Sequence, residues 1–468
     1  MKRLLIVLLF AIPLNTIAQE KWDLRKCVDY AMANSISVKQ ADVQARTAAL
    51  QKKLTDAQAY PNLGFNTQAG YNFGRSIDPT SNQYTTQSVL FQSIGLQSGV
   101  TLFNWFSIKN SKIAADYDVK AYSLGIDKAR NDIALNVAAG YLQYLLSLEQ
   151  ANLAKVQIEQ TRSQLENTRK LVDAGSMPEL NAAQLEAQLA TDSSTYISAK
   201  GTADQNRIIL MGYLNLDANA SFDVSIPDVD KIPLLPLSDL EPGPTYQLAL
   251  QSQPLQKFDS LRLLSAQYSV KSARGAMYPT LSAFGQLGSN YGSTYRNFTA
   301  YPFFDTLFTH GGDYVIIPNA TTVSNKVPYF KQVADINFSQ AFGVQLNIPI
   351  GNNRRLRDSY ERAKLNVQNL QLQQQQDNLT LQQNVYQSYT NAKSAMEKYN
   401  ATATSVKTQE YAFDLAKKRY EIGVLSTIDY ITAQTNLFIA RINVVSARYD
   451  YIFKMKLLEF FKGQGIIL

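Results

Sequence analysis

The feature that most constrains this chain is an internal repeat. Residues 59–63 (AYPNL) resemble residues 277–281 (MYPTL), which lie 218 positions later. A second offset of 248 then holds for nearly a hundred positions, as in Gly95 with Gly343, Gln97 with Gln345, Tyr141 with Tyr389, Gly175 with Gly423 and Leu189 with Leu437. One constant offset that links a strand, a helix and a turn is hard to obtain by chance, so the sequence predicts a duplicated unit.

The repeat divides the mature chain into two copies, residues 19–225 and 245–468, joined by residues 226–244. Five prolines in the joining segment predict a connector without a helix. The change of offset gives the second copy about 30 additional residues between its two strands. The segment 288–337, rich in Gly, Tyr, Asn and Thr, is predicted to be a long loop that carries this insertion.

Residues 1–18 are predicted to be a secretory signal peptide. A basic start at Lys2 and Arg3 precedes a short apolar stretch, and the small residue Ala18 ends it. A membrane anchor would need roughly 20 apolar residues, and no later stretch approaches that length. If the mature chain crosses a membrane, it therefore does so as β-strands.

Composition argues against several function classes. Without Lys2 and Arg3 the net charge falls from +7 to +5 and is spread along the chain, so no nucleic-acid partner is expected. Cys27 is the single cysteine, predicted to be a small buried helix residue. His310 is the single histidine, so the chain has too few histidines for a histidine-based metal site or nucleophile system. We expect no enzyme and no cofactor.

Four segments alternate between apolar residues and small or amide residues. Leu63, Phe65 and Tyr71 share one face, for example, opposite Gly64 and Asn66. The third segment is weaker, because Phe284 falls on the polar face. The predicted strands are about 61–73, 91–103, 279–291 and 338–350.

This alternation fits strands that separate lipid from a water-filled lumen. A half-buried strand of a soluble protein has the same period, but the signal peptide and the two strands per copy favour the membrane. Four strands cannot close a barrel, and an open sheet edge is not tolerated in lipid. Several chains must therefore share one barrel, and three copies give twelve strands.

Between and after the strands the sequence predicts very long helices. Residues 107–172 contain no proline, and Val385, Tyr389, Ala392 and Met396 follow heptad steps in the second copy. Roughly 65 helical residues span about 100 Å, more than a globular domain of this size needs. Gly175 and Gly423 are expected to end these helices, so each copy contains a helical hairpin that turns near 173–178 or 421–427.

Several motifs resemble the TolC-like outer-membrane efflux protein family over nearly the whole mature chain. They are the opening WDLRKCVDYA at 22–31, LVDAG at 171–175 followed by Leu180 and Asn181, and KRYEIG at 418–423 followed by STIDY at 426–430. The resemblance implies a mainly α protein with membrane β, a homotrimeric channel-tunnel. Four strands per subunit would form a shared twelve-stranded barrel, continued by a long α-helical coiled-coil barrel.

The resemblance also implies the function. We expect an outer-membrane exit duct of a tripartite efflux or type I secretion system in a Gram-negative bacterium, with a large periplasmic portion. Its partners would be a periplasmic adaptor, an inner-membrane pump of RND or ABC type, and outer-membrane lipid. Drugs, metals, lipids and secreted proteins all remain possible cargo. The alternative is a periplasmic coiled-coil adaptor or structural protein without a membrane barrel.

The family closes its periplasmic end at the hairpin turns, with acidic residues around the entrance. Asp429 occupies such a position and would form a ring of three carboxylates that filters cations; a simple helix N-terminal acid is the other interpretation. The sequence departs from the family elsewhere, with Thr432 and Asn181 at acidic positions and Leu425 at a basic one. We therefore expect a polar closure that involves Tyr420 and Asn181.

Two further sets of residues follow from the resemblance. The exposed turns would dock the adaptor, and their glycines would also permit the left-handed helix ends. Prolines at the ends of strands would mark the junctions between barrel and helices. The candidate docking residues are Gly175, Ser176, Met177, Gly423, Val424, Leu425 and Ser426, and the candidate junction residues are Pro61, Pro279 and Pro349.

Overall fold

The heptad-patterned segments form two very long helices, each followed by a shorter one. A computed structural model describes residues 21–77, 82–86, 88–227, 232–351 and 353–463, so the predicted signal peptide lies outside the described residues. Helices α3 and α8 have 67 residues each, and α4 and α9 have 35 each. The helices are α1 (Leu24–Asn34), α2 (Ile36–Ala57), α3 (Ser107–Asp173), α4 (Glu179–Tyr213), α5 (Pro242–Ser252), α6 (Pro254–Gly275), α7 (Tyr329–Lys331), α8 (Arg355–Glu421) and α9 (Thr427–Phe461).

Eight strands are found among the described residues. They are β1 (Asn62–Asn72), β2 (Arg75–Ile77), β3 (Tyr84–Thr86), β4 (Val89–Phe103), β5 (Thr280–Gly292), β6 (Arg296–Phe308), β7 (Tyr314–Lys326) and β8 (Ser339–Asn347). The strands β1, β4, β5 and β8 form one antiparallel sheet in that order, and β2–β3 and β6–β7 are separate hairpins. The four segments predicted from alternation are therefore the four strands of the main sheet.

The register of the main sheet gives it one apolar and one polar face. Neighbouring strands pair Phe65 with Leu96, Leu96 with Leu287, and Leu281 with Leu346, so apolar residues meet across all four strands. The opposite face pairs Asn66 with Gly95 and Gln97 with Gln286. Successive side chains of a strand point to opposite faces, so the alternation of the sequence carries through to the whole sheet.

Phe284 breaks the alternation because it covers a glycine. It pairs with Gly343 of β8 on the polar face, and a Cβ atom at position 343 would lie 3.2 Å from its ring carbons. Phe91 lies over Gly70 in the same way, at 3.3 Å. An aromatic ring over a cross-strand glycine fills the space that the missing side chain leaves.

The prediction of a loop over 288–337 is wrong. Strand β5 continues to Gly292, and β6 and β7 form a hairpin of thirteen residue pairs closed at 309–313. Helical turns follow at Tyr329–Ile336. Abundant Thr, Val, Phe and Tyr favour strands, and a two-stranded ribbon has two free edges where prolines such as Pro302 and Pro318 are tolerated.

The chain separates into two compact units that do not coincide with the two copies. Among the described residues, one unit lies within 21–49, 117–263 and 369–463, and the other lies within 50–116 and 264–368. Each unit takes segments from both copies. The first, called the helical unit, contains α4, α9 and most of α3 and α8. The second, called the sheet-containing unit, contains the sheet and the first turns of α3 and α8. The two copies as structural repeats stay a prediction.

In the helical unit, the core clusters around α3 and α9. Tyr141, 1 % exposed, packs with Leu145, Leu210 and Met211, and its hydroxyl donates to the Ser225 carbonyl oxygen at 2.6 Å. Cys27 is fully buried in this cluster, as predicted, and burial together with the charge of Asp23 raises the pKa of its thiol to about 12. This thiol therefore stays protonated and serves packing.

The connector 226–244 is shorter than predicted. A helix begins within it at Pro242. Proline is tolerated in the first turn of a helix, because the backbone N–H that it lacks would have no hydrogen-bond partner within the helix. The remaining connector packs on α9: Leu240 is fully buried, and the Glu459 carboxylate accepts from the Leu235 N–H at 2.8 Å. Lys456, only 6 % exposed, pairs with Glu459 at 2.9 Å, so the buried charge is compensated.

Candidate functional site

The two helical hairpins turn through the same backbone motif. At the end of α3, Gly175 N–H donates to the Val172 carbonyl and Ser176 N–H donates to Leu171. At the end of α8, Gly423 and Val424 repeat these bonds. The two glycines have φ of +70° and +77°, which is the left-handed conformation that this helix ending requires. The glycines predicted to end the helices do so.

The candidate docking residues lie on these turns, and most of them are exposed. Val424 has 59 % of its surface exposed, and Met177 and Leu425 are half-buried. Nothing lies within 4 Å of a Cβ atom added to either Gly175 or Gly423, so the turns face open space. Exposed turns of this kind are accessible to a partner, and their docking role stays a prediction.

Tyr420, the candidate for a polar closure, is buried inside the helical unit. It is 2 % exposed, and its hydroxyl lies 3.3 Å from the Thr168 hydroxyl of α3 and 3.2 Å from that of Thr427 in α9. Its ring stacks on Tyr430 with centroids 4.7 Å apart. Burial, followed by the neighbouring Tyr420 and Glu421, raises the pKa of Tyr430 to about 12, so the Tyr430 phenol stays protonated.

A second buried polar cluster lies one heptad away from the first. Thr161 of α3 donates to the Asp192 carboxylate of α4 at 2.6 Å and accepts from Gln434 of α9 at 3.1 Å. The Gln188 amide completes the cluster by donating to Asp192 at 2.8 Å. Asp192 is 7 % exposed and Gln434 only 2 %. Because buried polar groups are costly unless partnered, these two clusters fix how the two hairpins pack together.

Asp429 is exposed in the first turn of α9. Its N–H donates to the Ser426 hydroxyl at 3.2 Å, and that hydroxyl in turn donates to the Asp429 carboxylate at 2.6 Å. This is a reciprocal helix cap, favoured by the positive end of the helix dipole. The cap accounts for an acid at this position within one chain, while the proposed ring of three carboxylates needs the assembly and stays a prediction.

The other two gate candidates are near the ends of the hairpins. Asn181 is half-buried in the first turn of α4, and Thr432 is exposed on α9 with its hydroxyl donating to the Ile428 carbonyl at 2.8 Å. Within the described chain, the Tyr420 hydroxyl bonds to threonines rather than to Asn181. A closure that joins Tyr420 and Asn181 therefore stays a prediction for the assembled protein.

Sequence reasoning missed Thr161, Thr168, Thr427, Gln434 and Asp192. The signal was present, because Thr161 and Thr168 are seven residues apart at core positions of the α3 heptads, and Thr427 and Gln434 are seven apart on α9. Polar residues at core positions of a coiled coil typically set register. Recognising this pattern requires knowing which heptad face is buried.

The three candidate junction prolines lie where helices and strands of the sheet-containing unit are joined. Pro61 follows α2 and precedes β1, Pro279 separates α6 from β5, and Pro349 lies between β8 and α8. Proline has no backbone N–H to donate to a neighbouring strand, and it cannot continue a helix. It is therefore suited to these boundaries.

Within the ranges described above, no group of three or more metal-binding side chains comes together. Across the same residues, no helix is both long enough and apolar enough to cross a membrane.

The sequence profile of the outer membrane efflux protein family matches two segments of the chain, residues 27–216 and 245–454, on either side of the connector. The chain belongs to this family. Among curated relatives it is 22 % identical to the outer membrane efflux protein BepC of Brucella suis, over 82 % of this chain and 73 % of BepC. It is also 22 % identical to the outer membrane protein TolC of Escherichia coli, over 87 % and 75 % of the two chains.

Solved structures share the fold. The Campylobacter jejuni CmeC outer membrane channel matches with a TM-score of 0.74 at 20 % identity, covering 95 % of this chain and 86 % of CmeC. The outer membrane protein VceC of Vibrio cholerae matches with a TM-score of 0.73 at 14 % identity, covering 95 % and 97 %. The fold is therefore that of the TolC-like channel-tunnels, as the motifs predicted.

Family membership confirms the general function. The protein is an efflux duct of the outer membrane with a large periplasmic portion, and it is not an enzyme. The alternative of a periplasmic coiled-coil adaptor does not agree with this assignment, because the family match includes both strand pairs as well as the helices.

Proposed function

We propose that three copies of this chain assemble into one duct with a shared twelve-stranded barrel. The observation that carries this proposal is the four-stranded sheet, in which the outer edges of β1 and β8 have no neighbouring strand among the described residues. Both edge strands expose large apolar side chains, with Phe342 90 % exposed and Leu63 73 % exposed. An apolar face suits lipid, but an open edge does not, so β1 of one copy pairs with β8 of the next.

In this assembly the ends of the helical hairpins form the periplasmic entrance. Asp429 and Asn181 lie at the starts of α9 and α4 near that end, and Tyr420 holds the hairpins together from within. The exposed turns at Gly175 and Gly423 dock a periplasmic adaptor. An inner-membrane pump of RND or ABC type supplies the energy, and the duct passes what the pump delivers.

Outer-membrane fractionation and native electrophoresis test the assembly. The protein should fractionate with the outer membrane, migrate as a trimer that heat converts to a monomer, and form conducting channels in planar bilayers. A monomeric, non-conducting protein in the periplasmic fraction would contradict the proposal. Cross-linking in the native host, followed by identification of the captured adaptor and pump, then separates the RND from the ABC system.

A further inference from the structure

The insertion of the second copy folds back onto the apolar face of the sheet. The segment 327–336 follows the β6–β7 hairpin, and its contacts are made at the end of the sheet that is remote from the junction prolines. Ser289 donates its hydroxyl to the Val333 carbonyl at 2.7 Å, and the Tyr329 hydroxyl donates to the Gln92 side-chain oxygen at 2.7 Å. Both Ser289 and Gln92 belong to the face that carries Ile94 and Leu96, by the register of β4 and β5.

One fully buried glutamine holds this segment in place. The Gln332 amide donates to the Val327 carbonyl at 2.8 Å, and its oxygen accepts from the Gly292 N–H at 3.1 Å. The rings of Tyr291 and Tyr329 pack with centroids 4.9 Å apart. These contacts therefore hold the segment in a defined position on the surface of the sheet.

Its position coincides with a change of polarity along the face. Toward the junction prolines the face carries Leu96, Leu281 and Leu346, whereas toward the remote end it carries Gln92 and Ser289 together with Tyr291, Tyr71 and Leu90. If the apolar part faces lipid, as in the proposed function, this change marks the level of the lipid headgroups. Aromatic residues at that level are typical of outer-membrane strands.

The side chains that the segment exposes combine one aromatic ring with cations. Phe330 is 80 % exposed, and the neighbouring Lys331 is exposed as well. Lys326 is exposed at the base of the β6–β7 hairpin, opposite Arg296 in the register. Asp335 is the acidic residue of the segment. A surface that combines cations with an exposed ring at headgroup level is better suited to bind a phosphorylated lipid than to bind an apolar protein surface.

We propose that residues 326–336 bind an anionic, phosphorylated glycolipid of the outer leaflet. Lys326 and Lys331 contact its phosphates, and the Phe330 ring inserts between the first carbons of its acyl chains. The proposal rests on the proposed function, because it takes the apolar face as the lipid face. Its consequence is that the insertion fixes the height of the duct in an asymmetric membrane.

Calorimetric titration of the full chain in detergent tests this site. The probes are bisphosphorylated lipid A, its dephosphorylated form, and inorganic phosphate. The variants are Lys326→Gln with Lys331→Gln, and Phe330→Ser alone. Lys200→Gln with Lys407→Gln is the matched control, because these exposed lysines lie on α4 and α8.

Each lysine near an anionic lipid surface contributes about fivefold in affinity, so the double variant should bind bisphosphorylated lipid A about 25-fold more weakly. Phe330→Ser should weaken both lipid forms alike, and the control pair should leave binding unchanged. Equal binding by wild type and double variant would overturn the proposal. So would binding of inorganic phosphate as tight as that of the lipid.

Conductance in bilayers of neutral phosphatidylcholine separates this result from the proposed function. Wild type and all variants should form the same channels there, because the bilayer offers no phosphorylated glycolipid. If the channels conduct normally but the double lysine variant binds lipid A as tightly as wild type, only the lipid site is overturned. A wild-type protein that forms no channel would overturn the proposed assembly.

Discussion

The hydroxyl oxygen of Tyr420, in the last turn of α8, lies 3.3 Å from the hydroxyl oxygen of Thr168 in α3, 252 residues earlier in the chain. The contact joins the two helical hairpins just before they turn. With the Thr427 hydroxyl it forms a chain of three hydroxyl groups, all in buried residues. In a low-dielectric interior such a chain is strong when complete and costly when one member is lost.

We predict that Tyr420→Phe loosens the closed entrance. Loss of the hydroxyl leaves two buried threonines without this partner, at a cost of about 1–3 kcal/mol, while the stacked ring remains. Single-channel recordings in planar bilayers should show a higher mean conductance or more frequent opening. Tyr411→Phe is the matched control, because Tyr411 is 68 % exposed on the same helix. Recordings of Tyr420→Phe that match wild type would show that this contact does not hold the entrance.

Asp429→Asn separates the charge of this residue from its role as a helix cap. The amide oxygen still accepts from Ser426, so α9 keeps most of its capping, but three charges disappear from the proposed entrance. We expect divalent cations to block conductance at higher concentrations than in wild type. Asp414→Asn, which removes an exposed charge paired with Lys418 on α8, is the control and should be blocked as wild type is. If divalent cations block Asp429→Asn at the same concentrations as wild type, the carboxylate acts only as a helix cap and does not filter cations.

Gly423→Trp should abolish efflux without preventing trimer assembly. The left-handed backbone at Gly423 disfavours any side chain by about 1–2 kcal/mol, which a chain with this much buried helix can absorb. The indole then occupies the open space in front of the turn, where the adaptor is proposed to dock. Gly423→Asn is the comparison, because asparagine tolerates the same backbone and adds little bulk.

Drug susceptibility of a strain that depends on this duct, with trimer content measured by native electrophoresis, checks both variants. The asparagine variant should support efflux, and the tryptophan variant should not. Wild-type susceptibility with Gly423→Trp would argue that the turn is not a docking surface. Loss of trimer in both variants would show that the glycine is required for folding.

The sequence predicts the architecture better than the contacts, and the reason is physical. Alternation of period two and heptads of period 3.5 are local patterns, so the strands of the sheet and the long helices could be placed from residues alone. The pairing of Phe284 with Gly343 depends on register between segments that are distant in sequence. The contacts of Thr168 and Gln434 depend on which helices become neighbours.

The insertion shows a different limit. Gly, Asn and Pro between residues 288 and 337 are turn-forming residues, yet most of the segment is a β-hairpin. Propensity alone does not separate a loop from a ribbon whose edges are free, because such edges tolerate proline. Burial of Gln332, which holds the following segment, has no local signal at all.

A carboxyl pair in the helical unit should make stability depend on pH. Asp259 of α6 lies beside Asp377 of α8, and burial, followed by the charge of Asp377 and a hydrogen bond with it, raises the pKa of Asp259 to about 6. Lys128 of α3 lowers it in part. A carboxyl whose pKa is raised in the folded state binds its proton more tightly there than in the unfolded chain. Stability from this group is therefore present below about pH 4 and is lost as pH rises through about 6.

Asp259→Asn should remove this loss, because asparagine donates to the ionised Asp377 at every pH in this range. We expect the variant to be more stable than wild type by about 1 kcal/mol at pH 7.5, reduced from the full value of the shift because Asp259 is only half-buried. At pH 4.5 the difference should vanish or reverse. Thermal unfolding of the detergent-solubilised protein at both pH values measures it, with Asp42→Asn, an exposed acid of α2, as the control. A stability difference between Asp259→Asn and wild type that stays constant from pH 4.5 to 7.5 would show that the pair does not share a proton in the folded protein.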